Sequence, residues 1–127
     1  MRLLYVEDDR ISTIVFQESL KLYGLTDLRI AETCEEGIAI ASEWSPEVLV
    51  IDANLPDCTG IAMLHRLRAL PGLADAPAFM CSANSLPEDV RAAFDAGFDG
   101  YWTKPIDIAC VIADLSALAG RPGRAVP

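Results

Sequence analysis

The sequence has little of what marks a membrane protein or a nucleic-acid-binding protein. No apolar run approaches the roughly 18 residues that a bilayer-spanning helix needs, and the N-terminus lacks the basic and apolar segments of a secretion signal. Ten basic residues stand against nineteen acidic ones. The net charge of −9 argues against binding of nucleic acid or of an anionic membrane by the bulk surface. We expect a cytoplasmic protein with basic partners or a bound cation.

Cysteine and histidine are scarce too, and neither has the spacing of a metal-ligand set. The four cysteines show no CxxC pattern, and without a secretion signal we expect them to be reduced thiols. Cys34, Cys81 and Cys110 are predicted to be core or semi-core residues. Cys58 is predicted to be more exposed. The one histidine, His65, precedes basic residues within a helical pattern, which predicts a surface position without a catalytic role.

Short apolar runs alternate with helical patterns along the chain. With 127 residues, of which 52% are hydrophobic, the chain has enough apolar material for one domain with its own core. Five strands alternating with five helices predict an α/β fold, a doubly wound parallel sheet with helices on both faces. We expect strands at 2–6, 25–31, 48–52, 78–83 and 99–103, the last helix at about 106–118, and a loose tail at 120–127.

Capping patterns mark several helix boundaries. Residues 33–36 (Thr-Cys-Glu-Glu) and 85–88 (Ser-Leu-Pro-Glu) have the spacing of a capping box, and Pro87 suits the first turn of a helix. Gly24 and Gly97 predict helix ends.

The segment 48–60 joins a buried strand to a carboxylate and then to a polar loop. Asp52 stands where the strand should emerge, at the end of a parallel strand where ligands bind. It is either a ligand or nucleophile, or simply a helix cap, and we favour the functional role.

Three acids, Glu7, Asp8 and Asp9, follow the first strand directly. They complement the dipole of the next helix, or they form a divalent cation site, and the two interpretations are compatible. We expect Asp9 to be a helix-start acid and not a ligand.

The strand ends together predict a phosphoryl-transfer site. Ser82 ends the fourth strand and Lys104 follows the fifth, so both meet the acids at one edge of the sheet. Mg²⁺ between Asp8 and Asp52 would remove their repulsion, and Lys104 would pair with the remaining charge. In this arrangement Asp52 attacks phosphorus, and catalysis consists of positioning and charge neutralisation.

These motifs resemble the receiver domain of two-component response regulators, which includes the chemotaxis regulators. The resemblance covers about residues 2–119 and rests on segments 4–9, 52–60, 82–83 and 101–105. It implies a flavodoxin-like fold with strand order 2-1-3-4-5 and a receiver domain at 1–119. The departures from the family pattern, Ser82 for threonine, Ile106 for an aromatic residue and the bulky Trp102, remove no chemistry.

The resemblance also implies roles at the metal site. Asp52 becomes the phosphoacceptor of a signalling protein that catalyses its own phosphorylation and dephosphorylation, and that is not otherwise an enzyme. Asp8 is a direct Mg²⁺ ligand, Glu7 acts through water, and the backbone carbonyl of Asn54 completes the set.

The resemblance further implies a switch. Lys104 contacts the phosphoryl group through its ammonium, Ser82 moves onto that group, and Tyr101 turns inward behind it. The Lys104–Pro105 bond is expected to be cis. Trp102 is expected in the core, on the opposite side of the sheet from Tyr101.

The implied partners are a histidine kinase or histidine phosphotransfer protein and a downstream protein target, with no nucleic acid or membrane bound by this domain. Met1 directly before the first strand, and the lack of an output domain, favour a stand-alone regulator. Residues 97–107 resemble receivers of hybrid histidine kinases, which relay phosphate to a histidine phosphotransfer domain. A Mg²⁺-dependent phosphohydrolase is a third possibility. It is disfavoured because no second aspartate stands two residues after Asp52.

Overall fold

The computed structural model describes residues 1–24 and 27–119, in which strands and helices alternate. The strands are β1 (Leu3–Val6), β2 (Leu28–Ala31), β3 (Val48–Asp52), β4 (Ala78–Ser82) and β5 (Gly100–Thr103). The helices are α1 (Arg10–Leu22), α2 (Cys34–Trp44), α3 (Gly60–Arg68), α4 (Pro87–Ala96) and α5 (Ile108–Ala119).

All strand pairs are parallel, and the sheet order is β2-β1-β3-β4-β5. The predicted fold class is therefore confirmed. The central strands β1, β3 and β4 are buried at every position, which explains why their sequences are continuous apolar runs instead of alternating ones. Their registers align Val6 with Ile51 and Asp52 with Cys81, so the carboxyl ends of these strands lie side by side.

Each face of the sheet has its own core. One core packs α2, α3 and α4 against the sheet, and the other packs α1 and α5 against the opposite face. In the second core Trp102 stacks on Phe79 with ring centroids 4.7 Å apart, and its indole N–H donates to Asp114 Oδ2 at 2.7 Å. Tyr101 packs against the first core, so the prediction that these two aromatic residues face opposite sides is confirmed.

Most apolar residues of α1 do not lie on its buried side. Ile11, Ile14 and Val15 are exposed, whereas Phe16 and Leu20 pack against the sheet. Aromatic packing decides the orientation, because the Phe16 ring lies 4.5 Å from that of Tyr5 in β1. The result is an apolar surface on the solvent side of α1.

Several predicted boundaries move by a few residues. β2 begins at Leu28 and not at residue 25, and residues 25 and 26 lie outside the described part of the chain, as does the predicted tail 120–127. The first capping box forms in part, because Thr33 Oγ1 accepts from the backbone N–H of Glu36 at 3.0 Å, whereas Glu36 Oε1 accepts the backbone N–H of Glu32 and not that of Thr33. α5 begins at Ile108 and not at 106. Asp107 directly precedes the helix, and its Oδ1 accepts the backbone N–H of Ala109 in the first turn.

The second capping box is wrong. The N-cap of α4 is Leu86, which supplies no side-chain cap, although Pro87 occupies the first turn as predicted. Asn84 takes the part expected of Ser85: its Oδ1 accepts from the Leu86 N–H, and its Nδ2 donates to Asp89. The side chain that orders the start of α4 therefore belongs to Asn84, two residues before the N-cap.

The prediction that all four cysteines are reduced is wrong for two of them. Cys34 and Cys58 form a disulfide across 24 positions of sequence. The contact arises because Asp57, next to Cys58, accepts the backbone N–H groups of Cys34 and Glu35 and so holds its loop against the start of α2.

The two free cysteines differ in exposure. Cys81 is buried as predicted, but Cys110 is exposed on α5 and is not a semi-core residue.

Two arginines fix the amino ends of the strands. Arg2 donates to the Ser45 carbonyl through Nε and Nη2 at 3.0 and 2.9 Å, which ties β1 to the end of α2. Arg68 donates to the carbonyls of Gly97 and Ala76 at 2.8 and 2.9 Å, which ties α3 to the segments that enter β5 and β4. None of the described helices is long and apolar enough to cross a membrane.

Two helical glycines allow a matched test of how tightly α3 packs beneath Asp52. A Cβ on Gly60 would lie 2.6 Å from the backbone carbonyl oxygen of Asp52, whereas one on Gly37 would lie 2.5 Å from the flexible end of Met63. We expect Gly60→Ala to lower the free energy of unfolding by about 2 kcal/mol and Gly37→Ala by clearly less, because only the methionine can move aside. Urea unfolding of both variants measures this, and equal losses would contradict it.

Candidate functional site

The carboxyl ends of four strands bring five of the predicted residues together. Glu7 and Asp8 follow β1, Asp52 ends β3, Ser82 ends β4 and Lys104 follows β5. The position of each residue comes from the parallel registers, which end neighbouring strands at the same edge of the sheet. This is the edge at which the strand ends of the sequence predict a phosphoryl-transfer site.

Lys104 bridges two of the carboxylates directly. Its Nζ lies 2.5 Å from Glu7 Oε1 and 2.7 Å from Asp52 Oδ1. The peptide bond between Lys104 and Pro105 is cis, as the resemblance implies. The backbone N–H of Lys104 also donates to the Ser82 carbonyl at 2.8 Å. This hydrogen bond to the end of β4 fixes the backbone of the lysine.

Glu7, Asp8 and Asp52 form an acidic cluster that suits a divalent cation. One carboxylate oxygen from each lies within 4.8 Å of the others. Asp8 is exposed, whereas Glu7 is only 1% exposed and Asp52 is buried. Lys104 offsets one of three formal negative charges, and carboxylate oxygens are the ligands that Mg²⁺ prefers. The residues present therefore fit the predicted metal.

The pKa values of Glu7 and Lys104 are both raised, but for different reasons. Burial raises the pKa of Glu7, and the charge of Asp52 adds to the rise, while the bond to Lys104 opposes it. Burial alone would lower the pKa of Lys104, but its bonds to Asp52 and Glu7 outweigh burial and raise that pKa. The lysine stays charged, and the ionised state of Glu7 is costly without a further cation.

A hydroxyl that was not predicted from the sequence positions Glu7. Tyr5 Oη donates to Glu7 Oε1 at 3.2 Å within the buried region, and the backbone N–H of Asp9 donates to Glu7 Oε2 at 3.3 Å. Burial raises the pKa of this tyrosine, so it remains a donor. The signal was available, because residues two apart on a strand share a face.

Asn84 connects the two residues of the predicted switch. Its backbone N–H donates to Ser82 Oγ at 3.0 Å, and its carbonyl accepts a short hydrogen bond from the Tyr101 hydroxyl. Tyr101 is half-buried in this arrangement. The β4–α4 loop therefore carries a direct link between the serine at the site and the aromatic residue on β5.

The loop after β3 is compact and contacts the phosphoacceptor candidate. The backbone N–H of Asn54 donates to Asp52 Oδ2 at 3.3 Å, while the Asn54 side chain is exposed. Asn54 also forms a bridge with Thr59, and the Gly60 N–H donates to the Ala53 carbonyl at 2.9 Å. These bonds set the backbone of Asn54 beside Asp52.

Two residues lie outside the site as predicted. Asp9 is the N-cap residue of α1, and it accepts a hydrogen bond from Ser12 Oγ at 2.6 Å, which lowers its pKa. His65 is exposed on α3.

The fold and this edge define a flavodoxin-like domain whose acidic pocket is bridged by one lysine. Residues 3–116 match the family model of the response regulator receiver domain, and the chain belongs to that family. It is 32% identical over 123 residues to the DNA-binding dual master transcriptional regulator RpaA of Synechocystis sp., covering 97% of this chain and 51% of that protein. The chain thus spans about half the length of that relative.

Solved structures share the fold. A protein described as a response regulator from Chloroflexus aurantiacus is 26% identical, with a TM-score of 0.87 and coverage of 94% of this chain and 98% of that one. The receiver domain of sensor histidine kinase PA1611 from Pseudomonas aeruginosa has a TM-score of 0.84 at 22% identity, with the same coverage, and its structure has magnesium coordinated in the active-site cleft.

The cost of ionised Glu7 predicts that removing its charge stabilises the metal-free protein. We expect Glu7→Gln to raise the free energy of unfolding by about 1 kcal/mol at pH 8 in a chelator. The wild-type folded state binds more protons than the unfolded state between pH 4.5 and the raised pKa. Wild-type stability therefore falls as pH rises through that window, and the fall should be smaller in Glu7→Gln. Urea unfolding at pH 5 and pH 8 measures both.

Asp9→Asn is the matched control, because Asp9 is exposed, lies outside the lysine bridge, and an asparagine oxygen can still accept from Ser12 Oγ. It should not increase stability. A Glu7→Gln protein that is less stable than the wild type at pH 8 would show that the lysine bridge outweighs burial.

Proposed function

We propose that Asp52 accepts a phosphoryl group from a phosphohistidine in a Mg²⁺-dependent reaction, and that the domain signals through the resulting acyl phosphate. One observation carries the proposal: the Lys104 ammonium bridges Asp52 and the buried Glu7, with Asp8 completing a cation site beside them. A carboxylate nucleophile, a cation site and a fixed ammonium at one edge are the parts that phosphoryl transfer needs.

Glu7, Asp8 and Asp52 would hold the Mg²⁺ ion, together with the backbone carbonyl of Asn54 and with Glu7 acting through water. When bound, the ion would neutralise charge on the phosphoryl oxygens and on the acids. The family membership and the magnesium in the PA1611 receiver structure support this assignment.

Each protein group has a defined task in the transfer. An Asp52 oxygen attacks phosphorus while the bond from phosphorus to the histidine nitrogen breaks. Lys104 Nζ, held at 2.7 Å from Asp52, moves onto a phosphoryl oxygen and offsets its charge. The Ser82 hydroxyl, which accepts from the Asn84 N–H, turns to donate to another phosphoryl oxygen. The pocket thus exchanges carboxylate contacts for phosphoryl contacts.

The movement of Ser82 supplies the signal. When its Oγ leaves the Asn84 N–H, the loop that also holds the Tyr101 hydroxyl loses one anchor, and Tyr101 turns inward. The surface of α4, β5 and α5 is thereby remodelled. A shift from mostly off to mostly on needs roughly 5.5 kcal/mol of differential binding, and charge-assisted hydrogen bonds of about 1.5–3 kcal/mol each can supply it.

The partners follow from this chemistry. The donor is a histidine kinase or histidine phosphotransfer protein, and the remodelled face meets a downstream protein target in the cytoplasm. The domain itself, at 1–119, binds neither nucleic acid nor membrane, in keeping with its acidic charge. A relay to a histidine phosphotransfer domain is the second candidate, supported by the likeness to the PA1611 receiver, which belongs to a sensor kinase.

Phosphorylation of Asp52 is tested with a small acyl phosphate, Mg²⁺ and intact mass spectrometry. The wild type should gain the mass of one phosphoryl group, and Asp52→Asn should gain none, because it lacks the attacking oxygen. Asp57→Asn is the matched control in the same loop, since asparagine also caps α2, and it should be phosphorylated like the wild type. Phosphorylation that persists in Asp52→Asn would place the acceptor elsewhere. Multiple turnover of a phosphate ester that Asp52→Asn abolishes would favour the phosphohydrolase.

The proposed link through Asn84 is tested by hydrogen exchange with a beryllofluoride mimic of the phosphoryl group. We expect exchange to change at residues 83–89 and across β5 in the wild type, because Ser82 abandons the Asn84 N–H. Ser82→Ala cannot make the new bond, so the change should shrink although the mimic still binds at Asp52. An equally large change in Ser82→Ala would show that the serine does not transmit the signal.

A further inference from the structure

We propose that Cys34 and Cys58 are a reversible redox pair whose disulfide adjusts the loop beside Asp52. The formation of the disulfide is independent of the proposed function, and only its effect on phosphorylation rests on that function. The two sulfurs belong to different elements: Cys34 is the first residue of α2, and Cys58 lies in the loop between β3 and α3. Cys58 is half-buried, and disulfides that solvent can reach are the labile and regulatory ones, so this pair fits a redox sensor better than a permanent structural bridge.

The loop with Cys58 is the loop that positions Asn54. The backbone N–H of Leu55 donates to the Cys58 carbonyl at 3.0 Å, and Asn54 and Thr59 form a bridge across the same turn. Asn54 in turn donates its N–H to Asp52 Oδ2. The disulfide at Cys58 is thus connected to the Asp52 carboxylate through two backbone contacts within the loop and the Asn54 N–H bond to Oδ2 at 3.3 Å.

Other contacts keep the sulfurs near each other when the bond is open. Asp57 accepts from the Cys34 N–H at 2.8 Å and from the Glu35 N–H at 3.1 Å. Arg66 of α3 donates to Glu35 Oε1 at 2.9 Å, and this pair is exposed. The loop and helix therefore stay close in the reduced state, which gives the bond a high effective concentration for re-formation.

The accessible sulfur determines the order of the chemistry. Cys34 is fully buried, whereas Cys58 is half-buried and meets solvent first. The Cys58 thiolate attacks a hydroperoxide, which breaks the O–O bond and gives a sulfenic acid and an alcohol, or water from hydrogen peroxide. The Cys34 thiol then attacks the sulfenic sulfur, and water leaves as the disulfide forms. A dithiol reductant reverses the two-electron oxidation and becomes a disulfide itself.

The disulfide form should be the better metal and phosphoryl acceptor. With α2 covalently fixed to the loop, the backbone of Asn54 has fewer alternative positions, so less order must be gained when the cation binds. We expect Mg²⁺ affinity to rise about fivefold on oxidation, at the lower end of the range for coupled sites. By reciprocity, Mg²⁺ should make the disulfide harder to reduce by the same factor.

The experiment compares the chain after treatment with hydrogen peroxide and after reduction with a phosphine. Maleimide labelling of the denatured protein, read by intact mass, should modify all four cysteines after reduction and only Cys81 and Cys110 after oxidation. Mg²⁺ titration and the rate of phosphorylation by a small acyl phosphate are then measured on both forms. Cys110→Ser, which removes an exposed thiol on α5, should keep the redox effect.

Cys58→Ser and Cys34→Ala should each abolish the effect, and circular dichroism identifies a variant that fails to fold. Four labelled cysteines after oxidation would overturn the redox pair, and so would an equal redox effect in Cys58→Ser. Stoichiometric Zn²⁺ binding by the reduced protein that prevents oxidation would overturn it too, since Cys34, Asp57 and Cys58 would then be metal ligands. If neither form takes a phosphoryl group, the proposed function fails, while the labelling result still decides the disulfide.

Discussion

The structure depends on one electrostatic arrangement, a single ammonium placed among three carboxylates at one edge of a parallel sheet. Lys104 contacts Glu7 and Asp52, and Asp8 lies at the exposed side. Such a cluster does not maximise stability, because a buried carboxylate with a raised pKa costs free energy when it ionises. Proteins commonly accept this cost at functional sites, where the missing charge is supplied by a ligand. The apolar strands β1 and β3 provide the stability that makes the cluster tolerable.

The sheet itself brings these groups together, and no long loop is needed to place them. Because the strands are parallel and in register, β1, β3, β4 and β5 end at the same edge, and the residues at or just after their carboxyl ends determine its chemistry. Hydrogen bonds from the backbone and from Tyr5 then orient Glu7. Two loops adjoin the site. The β4–α4 loop contains Asn84, whose carbonyl accepts from the Tyr101 hydroxyl, and the β3–α3 loop is joined to α2 by the disulfide.

The sequence predicted what depends on strong local patterns. Continuous apolar runs predicted β1, β3 and β4, and the residue after each run predicted the site, because strand order and register leave few alternatives. Which side of a helix packs against the sheet was less predictable. The exposed side of α1 is as apolar as the buried side, so Phe16 decides the orientation only through its contact with Tyr5.

Contacts between residues far apart in sequence were also beyond reach. The disulfide links positions 24 apart and requires the loop after β3 to lie against α2, which no local pattern encodes. The start of α4 shows the same limit at short range. Ser85 has the right spacing for a cap, but Asn84 lies where its amide can reach both Leu86 and Asp89. Competing side chains one position apart are distinguished by geometry and not by spacing.

The arginine contacts at the opposite end of the sheet have a consequence for how the molecule can deform. Arg2 and Arg68 bind carbonyls of neighbouring segments where the strands enter the sheet. These contacts therefore resist displacement of β1, β4 and β5 where the three strands enter the sheet. A structural change that begins at Asp52 is therefore expected to move the loops at the carboxyl ends of the strands, while the arginine contacts hold the amino ends in place.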